Sequence, residues 1–166
     1  MTDAASLVFC LGFAALLADA AVSDLRGFRI ANRDPILMVI LFTVSSPFRL
    51  ELTEIPLHLL AGAAAFAVGA LLFARGVWGG GDAKLVAAVA LCTGFAGLPR
   101  FLAVMALAGG VLALAVLAIR ACAPRVVAAN APRHLRIAAA GHLPYGVAIA
   151  AGGLDWALRI GMTAAA

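Results

Sequence analysis

Between Glu54 and Arg75, and again between Arg100 and Arg120, the chain runs without a single Asp, Glu, Lys or Arg. Runs of about 20 apolar residues are what a helix needs to cross a hydrocarbon core of about 30 Å. In that medium each backbone polar group must find its partner inside the protein, which leaves helices and closed barrels as the available folds. Composition agrees: 65% of the 166 residues are hydrophobic and 12% are charged, about half the charge of a soluble domain, and the mean hydropathy is +1.10. The expectation is an all-α, polytopic transmembrane helical bundle, with one integral-membrane domain over residues 1–166. The net charge of +4 is accounted for by membrane topology, so no nucleic-acid partner is expected. Cys10, Cys92 and Cys122 stand alone inside apolar segments and form no CxxC pair. They read as small core hydrophobes, with no metal site, cofactor or disulfide framework implied.

The pattern predicts about six spans, near Ala5–Val22, Ile36–Ser46, Pro56–Trp78, Ala83–Phe95, Phe101–Ala121 and His142–Ile160. The second and fourth are short, and are expected to tilt, extend into the interface or be shielded by neighbours. Ala18-Asp19-Ala20 imitates a signal-peptide cleavage site, but Met1-Thr2-Asp3 lacks the basic charge such a signal needs, so the first span reads as a retained helix. Lys and Arg fix the orientation. Arg26, Arg29 and Arg33 follow the first span, Arg75 and Lys84 the third, and Arg120, Arg125, Arg133 and Arg136 the fifth, leaving only Arg49, Arg100 and Arg159 opposite. The positive-inside rule then puts both termini outside and the odd-numbered loops in the cytoplasm, in the inner (cytoplasmic) membrane.

Against this apolar background, Gly79-Gly80-Gly81-Asp82-Ala83-Lys84 stands out, and Asp24 ends the first span on the same side. Acids inside or at the edge of a membrane mark functional sites by default. Two carboxyls brought to one depth resist ionising together, so one holds a proton while the other acts as a base, an arrangement that activates water. Plainer readings stand beside this one. Asp82 directly precedes a predicted helix and suits an N-cap. Asp24 balances Arg26 and Arg29. The three glycines form an ordinary turn, or else permit positive φ or close approach of another backbone. Lys84 either meets a substrate carboxylate or lipid phosphate, or snorkels to the interface. Asp19 precedes Asp24 by five residues, about 500° of helix, and so projects about 140° away from it. Asp155 and Arg159 have the spacing of a structural i,i+4 pair. His134 and His142 have no partner spacing that suggests a metal, and the loop Arg120–Arg136 suits anionic lipid or, alternatively, a secretion-machinery partner.

The motifs also carry a family resemblance. Gly79-Gly80-Gly81-Asp82 fits the GxGD signature of membrane aspartyl proteases, and Asp24-Leu25-Arg26-Gly27-Phe28-Arg29-Ile30-Ala31-Asn32 resembles the D-x-x-x-x-x-I-P-N segment of type IV prepilin peptidases. Leu143-Pro144-Tyr145-Gly146-Val147-Ala148 is similar to the P-Y-G segment of their last helix. The three occur in the family's order. The likeness is nearest to the small peptidases of Flp (tight-adherence) pilus systems. Larger relatives add a cytoplasmic region with paired cysteines and also N-methylate the trimmed pilin, so no methyltransferase activity is implied here. Ala31 departs from the family's proline.

What the resemblance implies is an aspartic endopeptidase that removes a short cytoplasmic leader from Flp-type prepilins. Asp24 and Asp82 would be its catalytic dyad. Gly79 and Gly81 would shape the loop around the substrate backbone, with Asn32 and Lys84 beside it. Pro144 would start or kink the last span, and Tyr145 would line the cleft or anchor at the interface. The expected partners are the prepilin, membrane lipids and the pilus or secretion machinery. The rival reading from the residues alone is a non-enzymatic membrane protein, a proton-coupled transporter or assembly scaffold that uses the acids as a relay.

Overall fold

A computed structural model describes residues 2–122 and 143–165. Arg125, Arg133, His134, Arg136 and His142 lie outside the described residues, as do the side chains of Arg120 and Cys122. Five helices make up the rest: α1 (Thr2–Gly27), α2 (Arg33–Arg49), α3 (Ile55–Ala74), α4 (Gly80–Cys122) and α5 (Tyr145–Ala165). Three are long and apolar enough to cross a membrane, at Ala4–Gly27, Ile55–Ala74 and Gly80–Ala118.

Six separate helices are therefore not what the structure contains. The expected fourth and fifth spans are joined in α4, whose 43 residues would make a rod about 65 Å long if straight. The 17-residue α2 is short and opens on Arg33-Asp34, and α5 is diluted by Asp155 and Arg159. Helix ends also move. Helix α1 continues to Gly27, so Asp24 lies inside a helix, and α4 begins at Gly80, so Asp82 sits in its first turn instead of ahead of it.

Helix α4 is broken at Gly94, where φ is 62° and ψ −178°, a region essentially confined to glycine. The break turns the chain back on itself, because Gly109, Gly110 and Ala113 of the second leg line one cavity with Asp82 at the start of the first. A break inside an apolar bundle orphans backbone groups, and His58 of α3 takes up one of them. Its Nδ1 lies 2.8 Å from the Leu91 carbonyl, which a continuous helix would have bonded to the amide of residue 95. The same ring stacks on Phe42 of α2, with centroids 5.5 Å apart.

The first leg of α4, residues 80–93, is the central element. Leu85, Val86, Val89, Ala90, Cys92 and Thr93 are all buried, which answers how so short a segment sits in a membrane: its neighbours shield it. Small residues set the helix spacing, as expected where lipid offers no hydrophobic drive for helices to associate. A Cβ on Gly62 or Gly69 of α3 would stand 2.9 Å from the Cβ of Leu91 or Ala83. On α5, Gly146 faces Asp24 and Gly153 faces Leu17, so α1 and α5 run antiparallel in close contact. At the end remote from Asp24, Phe9 and Phe13 stack at 5.6 Å and Trp156 meets both edge-on. Asp155 does pair with Arg159, at 3.5 Å, but its two-pronged partner is Arg100 of α4, at 2.6 and 3.0 Å. That bridge ties the second leg of α4 to α5.

The Gly94 corner gives a direct test by thermal unfolding in detergent. Gly94→Ala is expected to cost about 1–3 kcal/mol from backbone strain alone, and its Cβ would also stand 2.7 Å from His58 Nε2. His58→Ala is expected to cost about 1–3 kcal/mol by leaving the Leu91 carbonyl unsatisfied. Variants as stable as the parent would remove the corner's structural role.

Candidate active site

Helix α1 buries Phe9, Phe13, Leu17 and Ala20, at spacings of four, four and three that define one helical face. One turn further along that face is Asp24, 5% exposed. Its carboxylate is held from across the bundle, since the Gly146 amide donates to Oδ2 at 2.7 Å. Only glycine fits there, because a Cβ at 146 would stand 2.9 Å from both the Cβ and Oδ2 of Asp24. The chain then turns sharply. The Phe28 amide donates to the Asp24 carbonyl at 2.7 Å with Phe28 in the left-handed region at φ 52°, a C-terminal motif that usually takes glycine. Ser23 Oγ pins the following loop by donating to the Arg29 carbonyl at 2.9 Å.

Asp82 arrives from the opposite side of the bundle. Helix α3 ends in a complete Schellman motif: Gly76 has φ 70°, its amide bonds the Phe73 carbonyl, and the Val77 amide bonds the Leu72 carbonyl. That reversal delivers Trp78 and the glycines to the start of α4. Asp82 is the third residue of the helix, and its carboxylate lies back against the backbone at Gly79. The glycine run serves close approach, and none of its three residues has positive φ. A Cβ on Gly79 would meet Asp82 Oδ2 at 2.8 Å, on Gly80 the Phe73 ring at 3.3 Å, and on Gly81 the Cβ of Ile30 at 3.2 Å.

Both acids open into one cavity of about 600 Å³. Its walls come from three places: Phe28, Arg29 and Ile30 after α1, Gly76 to Asp82 between α3 and α4, and Leu143 with Tyr145 at the start of α5. Two carboxyls facing one cavity, with Asp24 tethered by a backbone amide, are equipped to orient a water molecule and to exchange protons with it. Among the described residues no three His, Cys, Asp or Glu side chains gather as a metal site would require.

The other expected site residues divide. Asn32 and Lys84 meet each other: Lys84 Nζ donates to Asn32 Oδ1 at 3.0 Å, clamping the loop after α1 against α4 beside the Ile30–Gly81 contact. Neither lines the acidic cavity. Pro144 is buried immediately ahead of α5, and Tyr145 lines the cavity while remaining 41% exposed. Asp19 is turned away from the pair, as the helical angle predicts, and is bound by Arg33 of α2. Three residues escaped the sequence reading. Gly146 was visible as the last letter of its motif, and its value lies in what it faces. Phe28 carried no signal, because nothing in its type announces a left-handed backbone. Asp34 is fully buried next to Arg33, whose Nε donates to Oδ1 at 3.2 Å; nothing in its local sequence marks it as buried.

A family model described as the type IV leader peptidase family matches residues 10–114, more than half of the chain and the part that holds both acids. No curated protein and no solved structure matches it.

The glycine opposite Asp24 supplies a paired test. Gly146→Ala is expected to destabilise the detergent-solubilised protein by about 1–3 kcal/mol through overpacking. Gly161→Ala, in the same helix with nothing within 4 Å, is expected to stabilise by about 0.5–1 kcal/mol. Equal melting temperatures for the two variants would contradict the close α1–α5 contact.

Proposed function

This chain belongs to the type IV leader peptidase family, and from that premise we propose that it is an aspartic endopeptidase trimming the short cytoplasmic leader of Flp-type prepilins. The observation that carries the mechanism is the shared cavity into which Asp24 and Asp82 both open. One carboxylate takes a proton from water as its oxygen attacks the scissile carbonyl carbon. The other, protonated, gives its proton to the leaving amine nitrogen as the C–N bond breaks, so the pair ends with its protons exchanged. Which acid plays which part is a property of the coupled pair. Positioning falls to the glycines. Gly146 supplies the amide that holds Asp24, and Gly79 and Gly81 shape the loop that presents Asp82. Lys84 and Asn32 act as positioning residues for the loop wall, and Tyr145 borders the cleft.

The Flp assignment rests on cysteines that are isolated; Cys10 and Cys92 are buried and free. On the same ground we assign peptidase activity without N-methyl transfer. The substrate is a single-helix precursor with a basic leader, and the membrane is the inner, cytoplasmic one. With α4 counted as two legs about Gly94, the chain crosses six times with both termini outside. The Arg26, Arg29, Arg33, Arg75 and Lys84 end, where the acids lie, then faces the cytoplasm, which the positive-inside rule supports.

Two measurements test this reading. Mass spectrometry of a co-expressed prepilin is expected to show complete leader removal by the parent. With Asp24→Ala or Asp82→Ala, trimming is expected to fall by about 10²–10⁴-fold, the usual contribution of a proton-transfer group, while the protein still accumulates in the membrane. Normal trimming by either variant returns the chain to the non-enzymatic reading. For orientation, in a cysteine-free background, a membrane-impermeant maleimide added to cells permeabilised only at the outer membrane is expected to label Leu52→Cys, and to label Val77→Cys only after lysis. Both positions are well exposed, and the reverse pattern would invert the proposed topology.

A further inference from the structure

Asp82 and Tyr145 border two cavities. One is the acidic cavity already described, and the other, of about 310 Å³, lies between the second leg of α4 and α5. The second differs in kind. Apart from Asp82 and the Tyr145 and Trp78 rings, its lining is Met105, Ala106, Gly109, Gly110, Ala113, Ala148 and Ile149. Positions 105, 106, 109, 110 and 113 fall on one face of the helix, and four of those five are glycine or alanine. The space is what their missing side chains leave. An apolar void of about 150 Å³ already accommodates a benzene ring, so this one has room for a large apolar side chain and its backbone.

We infer that this apolar cavity is the subsite for the residue on the carboxyl side of the scissile bond, the first residue of the trimmed product. The inference rests on the peptidase reading above and specifies it further. A peptide lying against Asp82 has a space lined by both acids on one side and an apolar slot on the other. The basic, water-exposed leader fits the former, and the apolar chain that continues into the membrane fits the latter. Hydrolysis at Asp82 therefore falls at the polar–apolar junction of the substrate because the enzyme's own lining changes there. Gly110 and Met105 set the slot's size. Gly110 is exposed at the rim and a Cβ on it would meet nothing within 4 Å, so a larger residue there extends into the slot without displacing a packed neighbour. Met105 occupies the wall by Gly152 of α5.

The test uses the purified full chain in detergent and two synthetic single-helix precursors with a basic leader, identical except for Ala or Phe directly after the cut. The readout is the ratio of kcat/KM for the Phe precursor to that for the Ala precursor, which is independent of how much enzyme is folded. Gly110→Phe is expected to lower that ratio by at least about ten-fold, the scale on which an apolar pocket discriminates by size. Met105→Ala is expected to leave the ratio unchanged or raise it. If the ratio in Gly110→Phe stays at the parental value, the slot is not the subsite, even though cleavage itself proceeds. If the parent cleaves neither precursor, or Asp82→Asn cleaves both as well as the parent, the peptidase reading fails and this inference with it.

Discussion

The hydrogen bond from the Gly146 amide to Asp24 joins parts of the chain 122 residues apart, and the acidic end of the molecule is organised around it. A carboxylate removed from water needs a donor, and α1 by itself offers none at that depth. The donor comes from the first turn of α5, where helical amides are free of intrahelical partners. It can approach only because residue 146 has no side chain. The same constraint aligns the helices further along, since Gly153 against Leu17 repeats the Gly146–Asp24 contact seven residues on along α5 and seven back along α1. Seating the acid and packing α1 on α5 are thus one event.

Large aromatic residues gather at one end of the bundle, two of them directly against glycines, Trp156 at Gly97 and His58 at Gly94. Phe9, Phe13, Trp156, Phe42 and His58 interlock at the end away from the acids, with Arg49 laid over the Phe9 ring at 3.5 Å. Towards the acids the interfaces pass to glycine and alanine, and both Asp82-lined cavities appear there. Aromatic contacts fill volume and hold helices in fixed relation. Small residues permit close backbone approach where helices touch and leave vacancies where they do not. One end of the bundle is consequently a packed scaffold, and the other an open site mounted on it.

Much of this was readable in the sequence. The two acids stood out because charge is scarce, and the angle from Asp24 to Asp19 separated the acid that lines the shared cavity from the one bound by Arg33. Apolar run lengths identified membrane helices. They did not yield the number of helices, since run length cannot tell a loop from the Gly94 corner, where one glycine turns the chain and a distant histidine receives the freed carbonyl. Lys84 and Asn32 were both singled out, 52 residues apart, but nothing local says that they bond each other. Gly146 illustrates the general limit: a missing side chain acquires meaning only from what lies opposite, and that is tertiary information.

The acids also sort by the kind of partner that holds them. Asp19 and Asp34 are met by Arg33, and Asp155 by Arg100 and Arg159. In each case a guanidinium occupies the carboxylate, and the pair serves to link helices or loops. Asp24 is held instead by a backbone amide of glycine, and Asp82 lies against the backbone at Gly79. An amide fixes position without cancelling charge, and it occupies only part of a carboxylate's accepting capacity. The carboxyls that share the cavity therefore keep accepting capacity towards it. Those that hold the bundle together are engaged by arginine instead.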